Sequence, residues 1–184
     1  MERRIAEGIK KRRDALGMSA NDLAQRSGVS RAMVSKIERL EVSPTAVLLG
    51  RLCDGLGITL SSLIASAESS PGLPIARASD QPVWRDPETR LVRTMVTPLN
   101  TGSKVEVVHV ELPHGAEVRY RALQQPHYDQ HVYVLLGELT MTYGDEEYTL
   151  RVGDCIQSRF DRAHAFGNRT RTPCKYLVVI ARHP

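Results

Sequence analysis

Aromatic residues, cysteines and long apolar runs are all scarce in this chain of 184 residues. Aromatic side chains make up 5%, with one tryptophan and two phenylalanines, which is little for a single large core. No apolar run approaches the roughly 18 residues that a membrane-spanning helix needs. The opening Met1-Glu2-Arg3-Arg4 precedes no apolar stretch of the kind found in signal peptides, and the three cysteines stand at no metal-binding spacing. We therefore expect a soluble cytoplasmic protein with reduced thiols and no membrane partner.

Histidine is absent from residues 1–65, and charge is unevenly distributed. Those residues contain 11 lysines and arginines against 7 aspartates and glutamates, whereas residues 66–184 contain 14 of each. The net charge of +4 thus lies in the first third of the chain, and all six histidines lie in the rest. A basic segment favours a polyanion as partner, and a segment with histidines favours a small-molecule or metal site.

The first third of the chain carries helical spacing and helix-capping signals. Apolar residues recur at helical spacing over 5–16, and Ser19 and Ser30 stand where the N-caps of a second and a third helix are expected. The pair Ser43-Pro44 predicts the start of a fourth helix, with the proline in its first turn, and residues 59–64 predict a fifth. These signals predict an all-α domain of five short helices.

The remainder of the chain shows strand patterns with no helices between them. Val105–Leu112 is rich in β-branched residues, and the apolar run Val132–Leu136 is typical of a buried strand. If Gly144-Asp145 forms a two-residue hairpin turn, Met141 faces Tyr148 and the apolar residues of both strands share one face. Several short strands in succession predict an all-β domain.

A segment rich in serine, alanine and proline separates the two patterns. It lacks periodicity, as linkers do. The sequence therefore predicts a helical domain over 1–66, a linker over 67–79 and an all-β domain over 80–184.

The stretch from Gly17 to Glu38 resembles the helix-turn-helix of the lambda repressor-like, or Xre, family. The resemblance rests on the order and spacing of short motifs: Ser19, Asp22-Leu23-Ala24, Ser27-Gly28-Val29-Ser30, Ser35-Lys36-Ile37-Glu38 and Ser43-Pro44-Thr45. It implies a five-helix DNA-binding domain whose third helix enters the major groove of an operator. It also implies that Arg13 pairs with Glu38.

The DNA contacts are expected on the third helix and at the starts of the second and third helices. Arg31 is the candidate for a bidentate contact to guanine, and Ala32 could meet a thymine methyl group. Phosphate contacts are expected at the helix N-termini. The full set of candidates is Ser19, Asn21, Ser30, Arg31, Ala32, Ser35, Lys36 and Arg39.

Residues 80–184 resemble a cupin, a double-stranded β-helix or jelly roll, in the combination found in Xre-cupin regulators. The resemblance rests on the spacing of one motif and on the last glycine of another: Gly153, Asp154, His164, Asn168 and Gly137. It implies a small-molecule effector pocket inside the barrel. The residues expected to line it are Gln124, Tyr128, Gln130 and His164.

A divalent metal is an alternative to an organic ligand in this pocket. Metal-binding cupins supply two histidines, a glutamate or glutamine, and a further histidine. Here the first two positions are Gln124 and Pro126, the third is Gln130, and only His164 is kept. If a bulge turns His127 inward, the metal ligands would be His164, Gln130 and His127. No cofactor is otherwise expected.

These features predict a transcriptional regulator that binds double-stranded operator DNA as a homodimer. The cupin domain would bind a small-molecule effector and support dimerisation, and Arg119, Arg121 and Arg159 favour an acidic one. No catalytic residues can be assigned, so we expect no enzyme activity. The alternatives are a metal-dependent cupin enzyme fused to a DNA-binding domain, and a cupin that serves only as a dimerisation scaffold.

Overall fold

The structure, a computed structural model, describes residues 1–66, 73–122, 128–159 and 161–182. It divides into two compact units, one formed by residues 1–74 and 99–101 and the other by residues 75–98 and 102–184. The residues of the predicted linker from 67 to 72 lie outside the described part of the chain.

The first unit is helical, as predicted. Its five helices are α1 (Glu2–Ala15), α2 (Ala20–Ser27), α3 (Arg31–Glu38), α4 (Ala46–Leu56) and α5 (Leu60–Ser66). One apolar side of each helix is buried in a common core. The core side chains with 1% exposure or less are Ile5, Ile9, Leu23, Val34, Ile37, Leu49, Leu52, Leu56, Leu63 and Ile64.

Side-chain caps begin four of the helices, and for α5 the cap is the Thr59 hydroxyl, which accepts from the Ser62 amide at 3.0 Å. Ser19 caps α2 and Ser30 caps α3, as the sequence predicts. The expectation for the fourth helix was wrong by two residues, because Thr45 is the N-cap of α4 and its hydroxyl accepts a hydrogen bond from the Leu48 amide at 3.3 Å. Pro44 therefore lies before the helix, where its missing N–H costs no helical hydrogen bond.

The second unit consists of two antiparallel sheets and a short 3-10 helix over Ala78–Asp80. Its strands are β1 (Val83–Arg85), β2 (Val92–Met95), β3 (Val105–Leu112), β4 (Glu117–Tyr120), β5 (Tyr128–Leu136), β6 (Glu138–Tyr143), β7 (Glu146–Arg151), β8 (Cys155–Ser158), β9 (His164–Gly167) and β10 (Cys174–Arg182). One sheet has the order β1-β2-β3-β10-β5-β8 and the other β4-β9-β6-β7. This is an all-β domain of antiparallel sheets, as predicted.

The hairpin between β6 and β7 has the predicted register. Met141 pairs with Tyr148 and Leu139 pairs with Leu150. Gly144 opens the turn with a φ of 62°, in the left-handed region that glycine adopts without strain. Tyr148 is nevertheless exposed, since β7 is the edge strand of its sheet.

Strand β5 is buried on one face only, so the prediction of a strand buried throughout Val132–Leu136 was wrong. Val132 and Val134 are fully buried, but Tyr133 and Leu135 are each 41% exposed and Leu136 is 51% exposed. The alternation arises because only the inner face of this sheet is covered by the second sheet. Apolar side chains are thus left on its outer face.

Candidate DNA-binding surface and cupin interior

Helices α2 and α3 are joined by a tight turn and share a buried seam. Gly28 at the end of α2 has a φ of 62°, which glycine adopts without strain. Leu23 and Val34 are fully buried, and Val29 between the helices is buried with them. The seam holds α3 so that its opposite face points outward.

The outward side of α3 carries the predicted contact residues. Arg31, Ala32, Lys36 and Arg39 are exposed, and Ser35 is half-buried. We refer to these five residues as the recognition surface. It combines cationic side chains with small ones, so the helix axis could approach the base edges closely.

The N-termini of α2 and α3 are closed by their caps. The Ser19 hydroxyl accepts from the Asp22 amide at 3.2 Å, and the Ser30 hydroxyl accepts from the Met33 amide at 3.2 Å. A hydroxyl that accepts one bond can still donate its hydrogen, so both serines could donate to a phosphate oxygen. Asn21 is exposed in the first turn of α2. The residues predicted to contact phosphate are therefore all exposed.

Arg39 is already engaged by a neighbouring carboxylate. Its Nε lies 2.6 Å from Oε1 of Glu41 and its Nη2 lies 3.3 Å from Oε2. This hydrogen-bonded pair raises the pKa of Arg39 and lowers the pKa of Glu41. A phosphate would have to compete with Glu41 for the guanidinium. We therefore expect Arg39 to contribute less to DNA affinity than Arg31 or Lys36.

A bidentate ion pair connects α1 to the end of α3, as the family resemblance implied. Arg13 Nε lies 2.7 Å from Oε1 of Glu38, and Nη2 lies 3.1 Å from Oε2. Arg13 Nη1 also donates to the Met18 carbonyl at 2.7 Å. Since both charged side chains are largely buried, the pair orients α3 against the rest of the helical unit.

His164 at the start of β9 points into the cupin interior. Its ring stacks on Tyr120, with 5.2 Å between the centroids, and meets Phe166 edge-on at 5.8 Å. Nδ1 lies 3.1 Å from the Arg162 carbonyl oxygen; since a carbonyl only accepts, Nδ1 carries the hydrogen. Burial lowers the pKa of His164 to about 4, despite the opposing effect of that hydrogen bond. The ring is therefore neutral near pH 7, and Nε2 is an acceptor.

The residues predicted to share the pocket with His164 are only partly described. Gln130 is buried on the inner face of β5, and Tyr128 lies two residues before it on the same face, half-buried. Gln124 and His127 lie outside the described residues. The predicted pocket and metal site therefore stay predictions.

Ser158 is an interior residue that sequence reasoning missed. It lies directly opposite Gln130 in the pairing of β5 with β8, and it is 5% exposed. Its buried hydroxyl oxygen has no hydrogen-bond partner among the described residues. A serine four residues beyond a turn carries no sequence signal, because only the strand pairing places it beside Gln130.

The described residues do not by themselves make a metal site. Within them, no group of three or more histidine, cysteine, aspartate or glutamate side chains could hold an ion. His164 offers a neutral imidazole nitrogen and Gln130 an amide oxygen, which are two of the predicted ligands. Neither carries a charge to offset that of a divalent cation.

The arginines that favoured an acidic effector are largely occupied. Arg119 Nε lies 2.5 Å from Oε1 of Glu117, and Arg159 Nε lies 3.6 Å from Oδ1 of Asp129. Both arginine side chains are exposed, at 73% and 72%. They form surface ion pairs and supply no free positive charge to the interior.

Two family models match the chain, one on each unit. A helix-turn-helix family model matches residues 9–63, and a cupin domain model matches residues 108–180. The chain therefore combines an Xre-like helix-turn-helix domain with a C-terminal cupin domain, as the sequence predicts. Within the described residues, no helix combines the length and apolarity that crossing a membrane requires.

Known proteins resemble the chain over both units. The HTH-type transcriptional regulator SutR of Escherichia coli (strain K12) is 27% identical over 169 residues, which are 91% of this chain and 89% of SutR. The crystal structure of an HTH_3 family transcriptional regulator from Vibrio cholerae has a TM-score of 0.82 at 22% identity, covering 100% of this chain and 97% of that one. Hydroxypropylphosphonic acid epoxidase from S. wedmorenis has a TM-score of 0.50 at 19% identity, covering 98% and 97%. The likeness to the two solved structures concerns the fold alone.

Proposed function

We propose that this protein regulates transcription by binding operator DNA as a homodimer, with the cupin domain acting as receptor for a small molecule. The observation that carries the proposal is the recognition surface, an exposed helix face of cationic and small side chains held by a buried seam and a buried ion pair. The likeness to a transcriptional regulator over 91% of the chain supports it.

In the proposed complex, α3 lies in the major groove. Arg31 at its first turn forms the bidentate contact to guanine, and Ala32 packs on a thymine methyl group. Ser35 and Lys36 reach bases or the adjacent phosphates, while Ser19, Asn21 and Ser30 bind the backbone at the helix N-termini. Two copies present their α3 helices about 34 Å apart on a palindromic operator.

We propose that the second unit supplies the dimer contact. Tyr133, Leu135 and Leu136 place exposed apolar side chains on the outer face of the large sheet, where a second copy would cover them. An effector bound in the cupin interior would act by preferring one arrangement of the paired domains, and the linker over 67–79 is the segment that would absorb the difference.

DNA binding is tested by fluorescence anisotropy on a duplex selected from a random pool by the wild-type protein. Arg31→Ala should weaken binding about 5- to 150-fold through loss of a bidentate base contact. Lys36→Ala should reduce the dependence of log K on log salt by about 1 if it binds a phosphate. Lys10→Ala is the matched control, because Lys10 is exposed and belongs to α1 and not to the recognition surface. Unchanged affinity in Arg31→Ala would contradict the proposed role of α3.

We propose a receptor rather than an enzyme for the cupin domain. The likeness to an epoxidase structure is a likeness of fold, and one fold carries many functions. A metal analysis of protein purified without a metal column, with His164→Ala as control, tests the alternative. A stoichiometric metal lost in the variant would favour the metal-dependent enzyme, whereas a cupin unit that no small molecule stabilises would favour the scaffold.

A further inference from the structure

Arg93 is an arginine on the inner face of the large sheet, in the middle of β2. It pairs with Val110 of β3, which is fully buried, and with Trp84 of β1, which is 3% exposed. Residues directly opposite each other on adjacent strands project from the same face. The Arg93 side chain therefore starts out between the sheets, alongside core residues.

Among the described residues, no carboxylate pairs with the Arg93 guanidinium. Its Nε is buried and makes no hydrogen bond, and Arg93 forms no ion pair within the described ranges. The exposed Arg119 and Arg159, by contrast, are each paired with a carboxylate. Arg93 is half-buried, so its guanidinium is not fully removed from water, but the buried Nε–H lacks the hydrogen bond that buried polar groups normally make.

Trp84 lies directly opposite Arg93, and a group of three further aromatic side chains begins two strands away at Tyr176. Val110 pairs with Tyr176 of β10, which places Tyr176 one strand further along the same inner face. The guanidinium is close enough to lower the pKa of Tyr176, although burial raises that pKa overall. Tyr176 stacks on Phe166 at 5.9 Å, and Tyr120 meets Phe166 edge-on at 6.2 Å.

This group is offset from the predicted pocket around His164. Gln130 pairs with Ile180, which lies four residues beyond Tyr176 on β10. Four residues of extended strand span about 13 Å. Tyr120 connects the two groups, because it stacks on His164 and also meets Phe166. The interior thus has a neutral polar end and a cationic aromatic region.

We propose that Arg93 binds the carboxylate of an aromatic or other apolar organic acid, with the body of the ligand packed against Tyr120 and Tyr176. The inference rests on the proposed effector function and names its ligand class. Nε–H and an Nη–H of one guanidinium match the two oxygens of a carboxylate, which would satisfy the buried Nε. The aromatic side chains supply apolar contact for the rest of the molecule.

The experiment uses the full chain with sodium benzoate as probe, and thermal unfolding is followed by the fluorescence of Trp84. Trp84 is the only tryptophan and lies directly opposite Arg93, so its signal reports on this unit. Saturating benzoate should raise the unfolding midpoint by about 5 °C over sodium chloride at equal ionic strength. Benzamide, which is isosteric and uncharged, should leave it unchanged.

Three variants identify the residue responsible. Arg93→Met should abolish the benzoate shift, and Arg93→Lys should keep only part of it, because a lysine cannot form the bidentate contact. Arg85→Met, an exposed arginine on the adjacent strand, should keep the full shift. The same thermal unfolding is measured with acetate and with inorganic phosphate. These two probes show whether the site requires an apolar carboxylate or accepts any small oxyanion.

Several results would overturn the proposal. They are an absence of any benzoate shift beyond chloride, an equal shift with benzamide or with phosphate, and an undiminished shift in Arg93→Met. Failure of this inference is distinguishable from failure of the proposed function. If uncharged metabolites stabilise the unit while benzoate does not, the receptor role stands without Arg93; if the wild-type protein selects no duplex, the regulatory function fails whatever benzoate does.

Discussion

Acidification should destabilise the cupin unit through His164. Its folded-state pKa of about 4 lies below the ordinary 6.5, so between these values the unfolded chain binds a proton that the folded chain does not. Stability from this residue is therefore complete above about pH 6.5 and is lost as the pH falls toward 4. The difference between pKa values of 6.5 and about 4 corresponds to about 3 kcal/mol in the free energy of unfolding, of which about 2 kcal/mol is lost when the pH falls to 5.

The measurement is urea unfolding at several pH values from 7.5 to about 4.5, followed by Trp84 fluorescence. The comparison variant is His164→Asn, whose amide can donate to the Arg162 carbonyl in place of Nδ1 but does not titrate. Carboxylates elsewhere contribute equally to both proteins. The difference in free energy of unfolding between them should shift by about 2 kcal/mol from pH 7.5 to 5.

A matched control is His131→Gln, because His131 is exposed on the outer face of β5. If the difference for His164→Asn changes with pH no more than the difference for His131→Gln, His164 is not held neutral by burial and the reasoning is refuted.

Three further predictions concern the helical unit, a turn and the outer sheet face. Arg13→Met should lower the free energy of unfolding by about 3 kcal/mol, because it leaves the largely buried Glu38 carboxylate without a partner. Urea unfolding followed by far-UV circular dichroism measures this loss. The double variant Arg13→Met with Glu38→Leu should recover much of the lost stability, and no recovery would contradict the ion-pair argument. Gly137→Ala should lower the free energy of unfolding by about 1–3 kcal/mol, since φ is 76° and an added Cβ would lie 2.9 Å from a carbonyl oxygen. Urea unfolding followed by Trp84 fluorescence measures the change, and an unchanged midpoint would show that the turn relaxes freely. Leu135→Glu should shift the protein toward monomer in sedimentation equilibrium, while Thr149→Glu, exposed on the other sheet, should not; equal behaviour would remove the outer face of β5 as the dimer contact.

Much of the helical unit was predictable because its signals are local. Ser19 and Ser30 are separated by three residues from the amides they cap, so each helix start can be predicted from a few neighbouring letters. The β6–β7 register was predictable for the same reason, since a two-residue turn determines which residues pair. The fourth helix start was misplaced because Pro44 and Thr45 are both acceptable at such a site, and only the hydroxyl contact to Leu48 distinguishes them.

By itself the sequence determined the two domain types, the positions of most caps and turns, and the residues on the outward side of α3. It could not determine which face of β5 is covered, because an apolar run such as Val132–Leu136 suits a strand buried on one side or on both. The strand pairing in the folded protein places Arg119 in a surface ion pair, and it places Arg93, which has no ion pair in the described part of the chain, opposite Val110. Those assignments depend on strands far apart in the chain becoming neighbours in a sheet, and no local pattern of residues records that pairing.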